Sequence, residues 1–139
     1  MRTEIIIHTD GGARGNPGPA ALGVVLEFDG KKKTYSKFLG RATNNAAEYQ
    51  AVIFALKKTK ALLGGERCDN AKLEVWLDSE LIASQLSGKY KIKQPELFPW
   101  FIEIWNLKQD FFAVEYKAIR REQNQEADSL VNAELDKQV

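Results

Sequence analysis

The sequence has few of the residues that mark several large classes of protein. It contains one cysteine, Cys68, and one histidine, His8, among 139 residues. A single cysteine excludes an internal disulfide and a cysteine zinc cluster, and it suits a reducing, cytoplasmic location. No apolar run approaches the ~20 residues that span a bilayer. The short apolar run near the amino terminus contains Glu4, so neither a membrane anchor nor a signal peptide is expected.

An excess of charge of either sign is also missing. The chain has 20 basic and 19 acidic residues and a net charge of +1. A nucleic-acid partner would therefore have to be attracted by local patches rather than by the field of the whole protein. Hydrophobic residues make up 44% and charged residues 28%, which is typical of a globular protein. The length suits one domain with one core, which we predict over residues 1–139.

Hydrophobic periodicity predicts five strands with helices between the later ones. The predicted strands are 4–10, 20–29, 32–40, 72–78 and 111–119. The predicted helices are 45–63, 79–87, 94–109 and 124–137. Three strands in succession, followed by alternation of strand and helix, favour an α/β fold in three layers, with a mixed sheet covered by helices.

Four acidic residues lie at ends of elements that such a sheet brings to one edge. Asp10 ends the first predicted strand and Asp78 the fourth, while Glu48 and Asp128 lie in the first turns of two helices. Ligands of α/β sheets gather at the carboxyl ends of strands, so we expect the four to converge. Carboxylates that lie so close together repel one another, and their negative charge needs a compensating cation. Sites made only of oxygen ligands suit Mg²⁺ or Mn²⁺. Two such ions ~3.5–4 Å apart suit in-line phosphoryl displacement.

Each acid also has a local structural explanation. Asp10 is placed to open a turn before two glycines. Glu48 is placed to close a capping box with Asn45, and Asp78 to cap the following helix. Asp128 is placed to offset a helix dipole. The position of any one acid is compatible with both a local structural role and a metal-binding role. The placement of all four at one edge of the sheet favours a metal site.

Four stretches in order resemble the motifs of the type 1 ribonuclease H family. They are TDGGARGNPGPA at 9–20, RATNNAAEYQA at 41–51, WLDSELI at 76–82 and REQNQEAD at 121–128. The resemblance covers nearly the whole chain and implies a five-stranded sheet with strands 1–3 antiparallel and two parallel strands after them. It implies an endonuclease that cuts the RNA strand of RNA–DNA hybrids with two Mg²⁺ ions, Mn²⁺ being able to substitute, and leaves 5′-phosphate and 3′-hydroxyl ends.

The resemblance also assigns the four acids to the metal ions. Asp10 would bridge both ions, and Asp128 would help to hold the ion that activates the attacking water. Glu48 and Asp78 would serve the ion that stabilises the leaving 3′-oxygen. These assignments are the family's, carried over to the matching positions of this sequence.

Eight further positions match substrate-binding residues of the family. They are Gly11, Gly12, Asn16, Arg41, Thr43, Asn44, Asn45 and Gln94. The absence of a Cβ at the glycines would let the backbone approach a nucleic-acid strand. The three asparagines would read the 2′-hydroxyl and base edges in the RNA minor groove, although Asn44 and Asn45 also suit helix capping. Arg41 and Thr43 would hold a phosphate of the DNA strand.

The sequence departs from the family pattern at three places. The loop before the last acid has no histidine, and Arg121, with Glu122 second, is the candidate for its auxiliary catalytic role. Gln94 stands where an asparagine is common, which weakens part of the phosphate pocket. The stretch GKYKIKQPEL at 88–97 leaves no room for a basic protrusion, as in the short archaeal-like branch. A side activity on double-stranded RNA is therefore a further expectation.

Three other functions compete with this interpretation. One is a hybrid- or RNA-binding module without activity, which the retention of all four acids disfavours. Another is a nuclease of the wider superfamily that acts on double-stranded RNA or branched DNA. A nucleotide-binding enzyme is weaker, because the glycines at 12, 15 and 18 match neither a dinucleotide fingerprint nor a phosphate loop. We expect a monomer with no obligate protein partner and no membrane association.

Overall fold

Two hairpins and two crossovers build the sheet of the computed structural model, which describes residues 2–138. The strands are β1 Thr3–Ala13, β2 Gly18–Phe28, β3 Lys31–Ala42, β4 Ala71–Leu77 and β5 Ala113–Ala118. Their order is β3-β2-β1-β4-β5, with antiparallel pairing from β1 to β3 and parallel pairing of β1 with β4 and of β4 with β5. This confirms the predicted mixed sheet. Asp29 and Gly30 form the second hairpin with positive φ angles, as their sequence indicates.

Helices cover both faces of the sheet, as predicted. They are α1 Asn44–Leu63, α2 Gly65–Cys68, α3 Glu80–Leu86, α4 Phe98–Lys108 and α5 Gln125–Asp136. The larger core joins α1, α3 and α4 to inward-facing strand residues such as Ile5 and Leu73. A smaller cluster joins α5 to the other face through Ala21, Val131 and Leu135. No helix within residues 2–138 has the length and apolar character that crossing a bilayer requires.

The first strand is longer than predicted. It passes the expected end at Asp10 and continues to Ala13, because β2 still offers pairing partners as far as Ala20. Glycine and proline indicate a turn in this part of the sequence, and the turn itself falls on residues 14–17. The extension matters for the site, since β4 ends earlier and leaves one edge of β1 without a strand partner.

The helix predicted over 94–109 is divided. Residues Pro95–Leu97 form a 3₁₀ turn, and α4 begins only at Phe98. Pro99 is therefore the second residue of α4, where its missing N–H has no intrahelical acceptor to lose. The one-turn helix α2 was not predicted, because four residues are too few to show a helical period.

Candidate active site

A cavity at the carboxyl ends of β1 and β4 collects most of the candidate residues. Its volume is about 470 Å³. The candidates that line it are Asp10, Gly11, Gly12, Asn44, Asn45, Glu48, Asp78, Arg121 and Asp128. Four substrate-binding candidates lie outside its lining, namely Asn16, Arg41, Thr43 and Gln94, and so does Glu122, the second candidate for the auxiliary role.

Three of the acids converge closely. Asp10, Glu48 and Asp78 each offer a carboxylate oxygen, and these oxygens lie within 4.8 Å of one another. Asp10 and Glu48 are each only 7% exposed. Asp128 lines the same cavity from α5 but is not one of the three oxygens in that group. The structure thus brings the four acids to one cavity, three of them in direct proximity.

The free oxygens of this group suit a divalent cation. Glu48 Oε1 accepts a hydrogen bond from the Gly11 N–H at 2.9 Å. Glu48 Oε2 and Asp78 Oδ2 are buried, and neither has a hydrogen-bond partner among residues 2–138. Buried carboxylate oxygens without donors are costly unless a cation compensates them. A donor set made only of carboxylate oxygens is the type that Mg²⁺ and Mn²⁺ prefer, so the residues present fit such an ion.

The same crowding changes the acid–base properties of the group. Burial raises the pKa of Asp10 to about 7, and the nearby charges of Asp78 and Asp128 act in the same direction. Burial and the charge of Asp10 raise the pKa of Glu48 well above its usual range. Burial also raises the pKa of Asp78, although the Arg121 guanidinium opposes this with Nε 3.8 Å from Oδ2. A bound cation would reverse these shifts, because it favours ionised carboxylates.

Three of the local explanations for the acids are wrong. Asp10 opens no turn, because β1 continues past it. The cap of α1 is Thr43, whose Oγ1 accepts from the Ala46 N–H at 3.1 Å, and Glu48 is the fifth helical residue rather than a first-turn one. The cap of α3 is Ser79 rather than Asp78. Neither Asn44 nor Asn45 caps α1.

Asp128 keeps its alternative explanation. It does lie in the first turn of α5, where a negative charge offsets the helix dipole. Its Oδ2 also accepts a hydrogen bond from Asn132 Nδ2 at 3.3 Å. The position next to Asp10 and the dipole interaction are compatible with each other.

Side chains take the place of a missing strand along one edge of β1. The last β1 residue paired with β4 is His8, and alternate residues after it direct backbone groups toward the side where β4 would continue. The side-chain partners lie at 2.8–2.9 Å, and the pairs are Thr9 O with Asn124 Nδ2, Gly11 N with Glu48 Oε1, and Ala13 N with Asn44 Oδ1. The edge that lacks a strand is therefore the edge that faces the cavity.

The fold requires glycine at position 11 for a packing reason that the sequence did not indicate. A Cβ at this position would lie 2.3 Å from the backbone C and O of Ala47 and 2.6 Å from the Glu48 N. The missing side chain lets α1 pack directly on β1, and the Gly11 amide is already bound to Glu48. At Gly12 a Cβ would meet Val131 Cγ1 at an ordinary 3.8 Å. Substrate contact by either glycine stays a prediction.

The substrate-binding candidates outside the cavity fall in two places. Asn16 Oδ1 accepts from the Asn44 N–H at 3.0 Å and so joins the turn after β1 to the start of α1. Arg41 and Thr43 are exposed at the junction of β3 and α1. Gln94 instead lines a separate cavity of about 440 Å³ beside α3, together with Lys89 and Tyr90. The substrate roles of these residues are not tested by the geometry and remain predictions.

Asn124 is the residue of this region that the sequence did not indicate. It is buried at 1% exposure and binds β1, a contact that spans 115 positions of the chain. The sequence shows only that Asn124 lies at the start of a predicted helix. A helix-capping role would explain an asparagine at that position as well as a contact with the sheet does.

Comparisons with known proteins agree with this geometry. A family model described as reverse transcriptase-like matches residues 8–134. A bifunctional protein of Mycobacterium tuberculosis is 35% identical over 136 residues, which are 96% of this chain and 36% of that protein. The chain thus spans about a third of the length of this mycobacterial relative.

Two crystal structures are similar over nearly their whole length. The structure of LC11-RNase H1, a protein isolated from compost by a metagenomic approach, in complex with an RNA/DNA hybrid is 44% identical with a TM-score of 0.90. The alignment covers 96% of this chain and 98% of that one. The structure of RNase H1 from Halobacterium salinarum is 37% identical with a TM-score of 0.86 and the same coverage.

Proposed function

The chain belongs to the ribonuclease HI family in its short form, and from this premise we propose that it is an endonuclease for the RNA strand of RNA–DNA hybrids. The products would carry 5′-phosphate and 3′-hydroxyl ends, and double-stranded RNA would be a side substrate. The observation that supports the proposal is the convergence of three carboxylates beside the open edge of β1, two of which have a buried oxygen without a hydrogen-bond partner among residues 2–138. The active unit would be one domain over residues 1–139, acting as a cytoplasmic monomer.

Asp10, Glu48, Asp78 and Asp128 would hold two divalent cations, Mg²⁺ or Mn²⁺. When bound, such ions supply a nucleophilic water at neutral pH and stabilise the charge that develops on the leaving oxygen. Glu48 is prepared for this use because Gly11 holds one of its oxygens and leaves the other free. Arg121, whose side chain is 80% exposed, holds a positive charge at the mouth of the cavity beside Asp78. It is our candidate for the auxiliary role.

Amide side chains at the open edge of β1 would read the RNA strand. Asn44 uses its Oδ1 for the Ala13 N–H, which leaves its NH₂ group to donate to a 2′-hydroxyl or a base edge. Asn45 lines the same cavity, and Asn16 supports Asn44 from the turn after β1. We also propose that Arg41 and Thr43 would hold a phosphate of the DNA strand. The hybrid would make further contacts with Gly11, Gly12 and Gln94.

The test compares a labelled RNA–DNA hybrid with an RNA duplex and a DNA duplex at one fixed salt concentration, with Mg²⁺ or Mn²⁺. Salt is held constant because phosphate contacts depend strongly on it. We expect cleavage of the hybrid's RNA strand, slower cleavage of the RNA duplex and an intact DNA duplex. The matched control is Asp10→Asn, which keeps the shape of the side chain and removes its charge.

Intact RNA at every metal concentration, with the Asp10→Asn variant indistinguishable from the unaltered protein, would contradict the proposal. Tight binding of the hybrid without turnover at saturating metal would instead identify a binding module.

A further inference from the structure

The start of α5 is connected to β1 by a buried side-chain hydrogen bond. Asn124 donates from Nδ2 to the carbonyl of Thr9 at 2.8 Å. Thr9 immediately precedes Asp10, and Asn124 lies one helical turn before Asp128, whose N–H donates to the Asn124 carbonyl at 3.1 Å. Two hydrogen bonds in series therefore link the strand that carries one acid to the helix that carries another.

The other polar contacts of α5 lie elsewhere. They join exposed side chains at the β3 edge and at the turn after β1, and the pairs are Lys32 with Glu126, Ser36 with Glu134, and Arg14 with Asp136. The connection between β5 and α5 binds itself through the Arg120 N–H and Gln123 Oε1. It binds the end of β4 through the Ile119 N–H, which donates to the Leu77 carbonyl at 2.9 Å, and through the exposed Arg121 beside Asp78. Within residues 2–138, Asn124 makes the one buried side-chain hydrogen bond between α5 or this connection and the sheet.

A helix-capping role does not account for the orientation of Asn124. An N-cap asparagine normally accepts from an N–H of the first helical turn, but the Asn124 side chain makes no such bond. Its Oδ1 is buried, with no partner among the described residues. The side chain is therefore oriented by β1. It satisfies a carbonyl that lies just beyond the last residue of β1 paired with β4.

We propose that Asn124 is a positioning residue that sets the placement of Asp128 relative to Asp10. The inference rests on the proposed function, because the two acids are expected to serve the same pair of cations. Without the donor, the Thr9 carbonyl is left unpaired in a buried place and the start of α5 can shift away from β1. Loss of groups that orient metal ligands typically lowers metal affinity or activity about 10- to 100-fold.

The experiment compares Asn124→Leu with Gln85→Leu. Gln85 is a matched control, because it is also a buried amide in a side-chain hydrogen bond, with Tyr49 Oη at 2.7 Å, but it lies in the interface of α1 and α3. For each variant we would measure the urea unfolding midpoint, Mn²⁺ binding by calorimetry without substrate, and kcat and KM on the hybrid. Asn124→Ser, which keeps a shorter donor, is the second variant.

We expect both leucine variants to lower the unfolding midpoint, and only Asn124→Leu to weaken Mn²⁺ binding and lower kcat by about tenfold or more. KM should stay within about threefold, because the substrate contacts proposed above lie on other elements. Asn124→Ser should lie between Asn124→Leu and the unaltered protein.

Equal Mn²⁺ affinity and kcat in Asn124→Leu and Gln85→Leu would overturn the proposal, and so would a failure of both Asn124 variants to fold. If the unaltered protein cleaves no hybrid, the proposed function fails on its own. The Mn²⁺ binding comparison then still decides whether Asn124 places the acids.

Discussion

Replacing Gly11 with alanine should destabilise the fold and move a metal ligand, whereas the same change at Gly12 should do neither. A Cβ at Gly11 would lie 2.3 Å from backbone atoms of Ala47, a separation that backbone cannot tolerate without a shift of α1 against β1. Overpacking of this kind typically costs about 1–3 kcal/mol. We expect the upper end of that range, because the clash involves backbone rather than a flexible side chain. At Gly12 the nearest atom is 3.8 Å away, so we expect a change of less than about 0.5 kcal/mol.

Urea unfolding of both variants measures the difference in the free energy of unfolding. A loss of about 3 kcal/mol would lower the melting temperature by about 10 °C for a chain of this size. Hybrid cleavage should fall in Gly11→Ala beyond what the loss of folded protein explains, because Glu48 follows Ala47 directly and moves with it. Equal stability of the two variants would refute the reasoning that α1 packs on β1 through the missing side chain.

Three other predictions follow from the site. Because the pKa of Asp10 in the metal-free fold is about 7 against a usual 3.8, the folded protein binds more protons between those pH values. The stability of the metal-free protein should therefore fall as the pH rises from about 4 through 7. Thermal unfolding should show that the stability of Asp10→Asn depends less on pH. A stability of the unaltered metal-free protein that rises from pH 4 to 7 would contradict the prediction. Arg121→Ala should raise the pKa of Asp78 further in the metal-free protein, while Arg121→Lys should keep it in place, as titration of the carboxyl group by NMR can measure. Thr43→Ala should cost about 1 kcal/mol of stability through the lost cap, and Thr43→Ser much less, as urea unfolding can measure.

The sequence predicts the five strands and the main helices in their chain order because each has a clear period. It does not predict every end, since β1 runs past Asp10 and α4 begins only at Phe98. The convergence of the four acids on one cavity could also be predicted, because Asp78 directly follows β4, Glu48 and Asp128 lie early in helices, and β1 and β4 are neighbours in the sheet. Their role as metal ligands stays a prediction. The position of Glu48 shows the limit of this reasoning. Its place within α1 depends on a cap at Thr43 that several neighbouring residues could equally provide.

The open edge of β1 could not be predicted. Its extension past Asp10 depends on the length of its neighbours in the sheet, and glycine-rich sequence favours a turn at the same place. The need for glycine at position 11 arises from the approach of α1, a contact between segments 36 residues apart. Asn124 illustrates the same difficulty, because its partner is a backbone carbonyl at the far end of the chain and no residue type identifies it.

Diffraction from crystals grown with Mn²⁺, recorded at the manganese absorption edge, tests the central claim most directly. The account predicts anomalous density among the carboxylates of Asp10, Glu48 and Asp78, and its loss in crystals of Asp10→Asn. Density that lies only elsewhere on the protein, or no density at Mn²⁺ concentrations that support hybrid cleavage, would contradict the account.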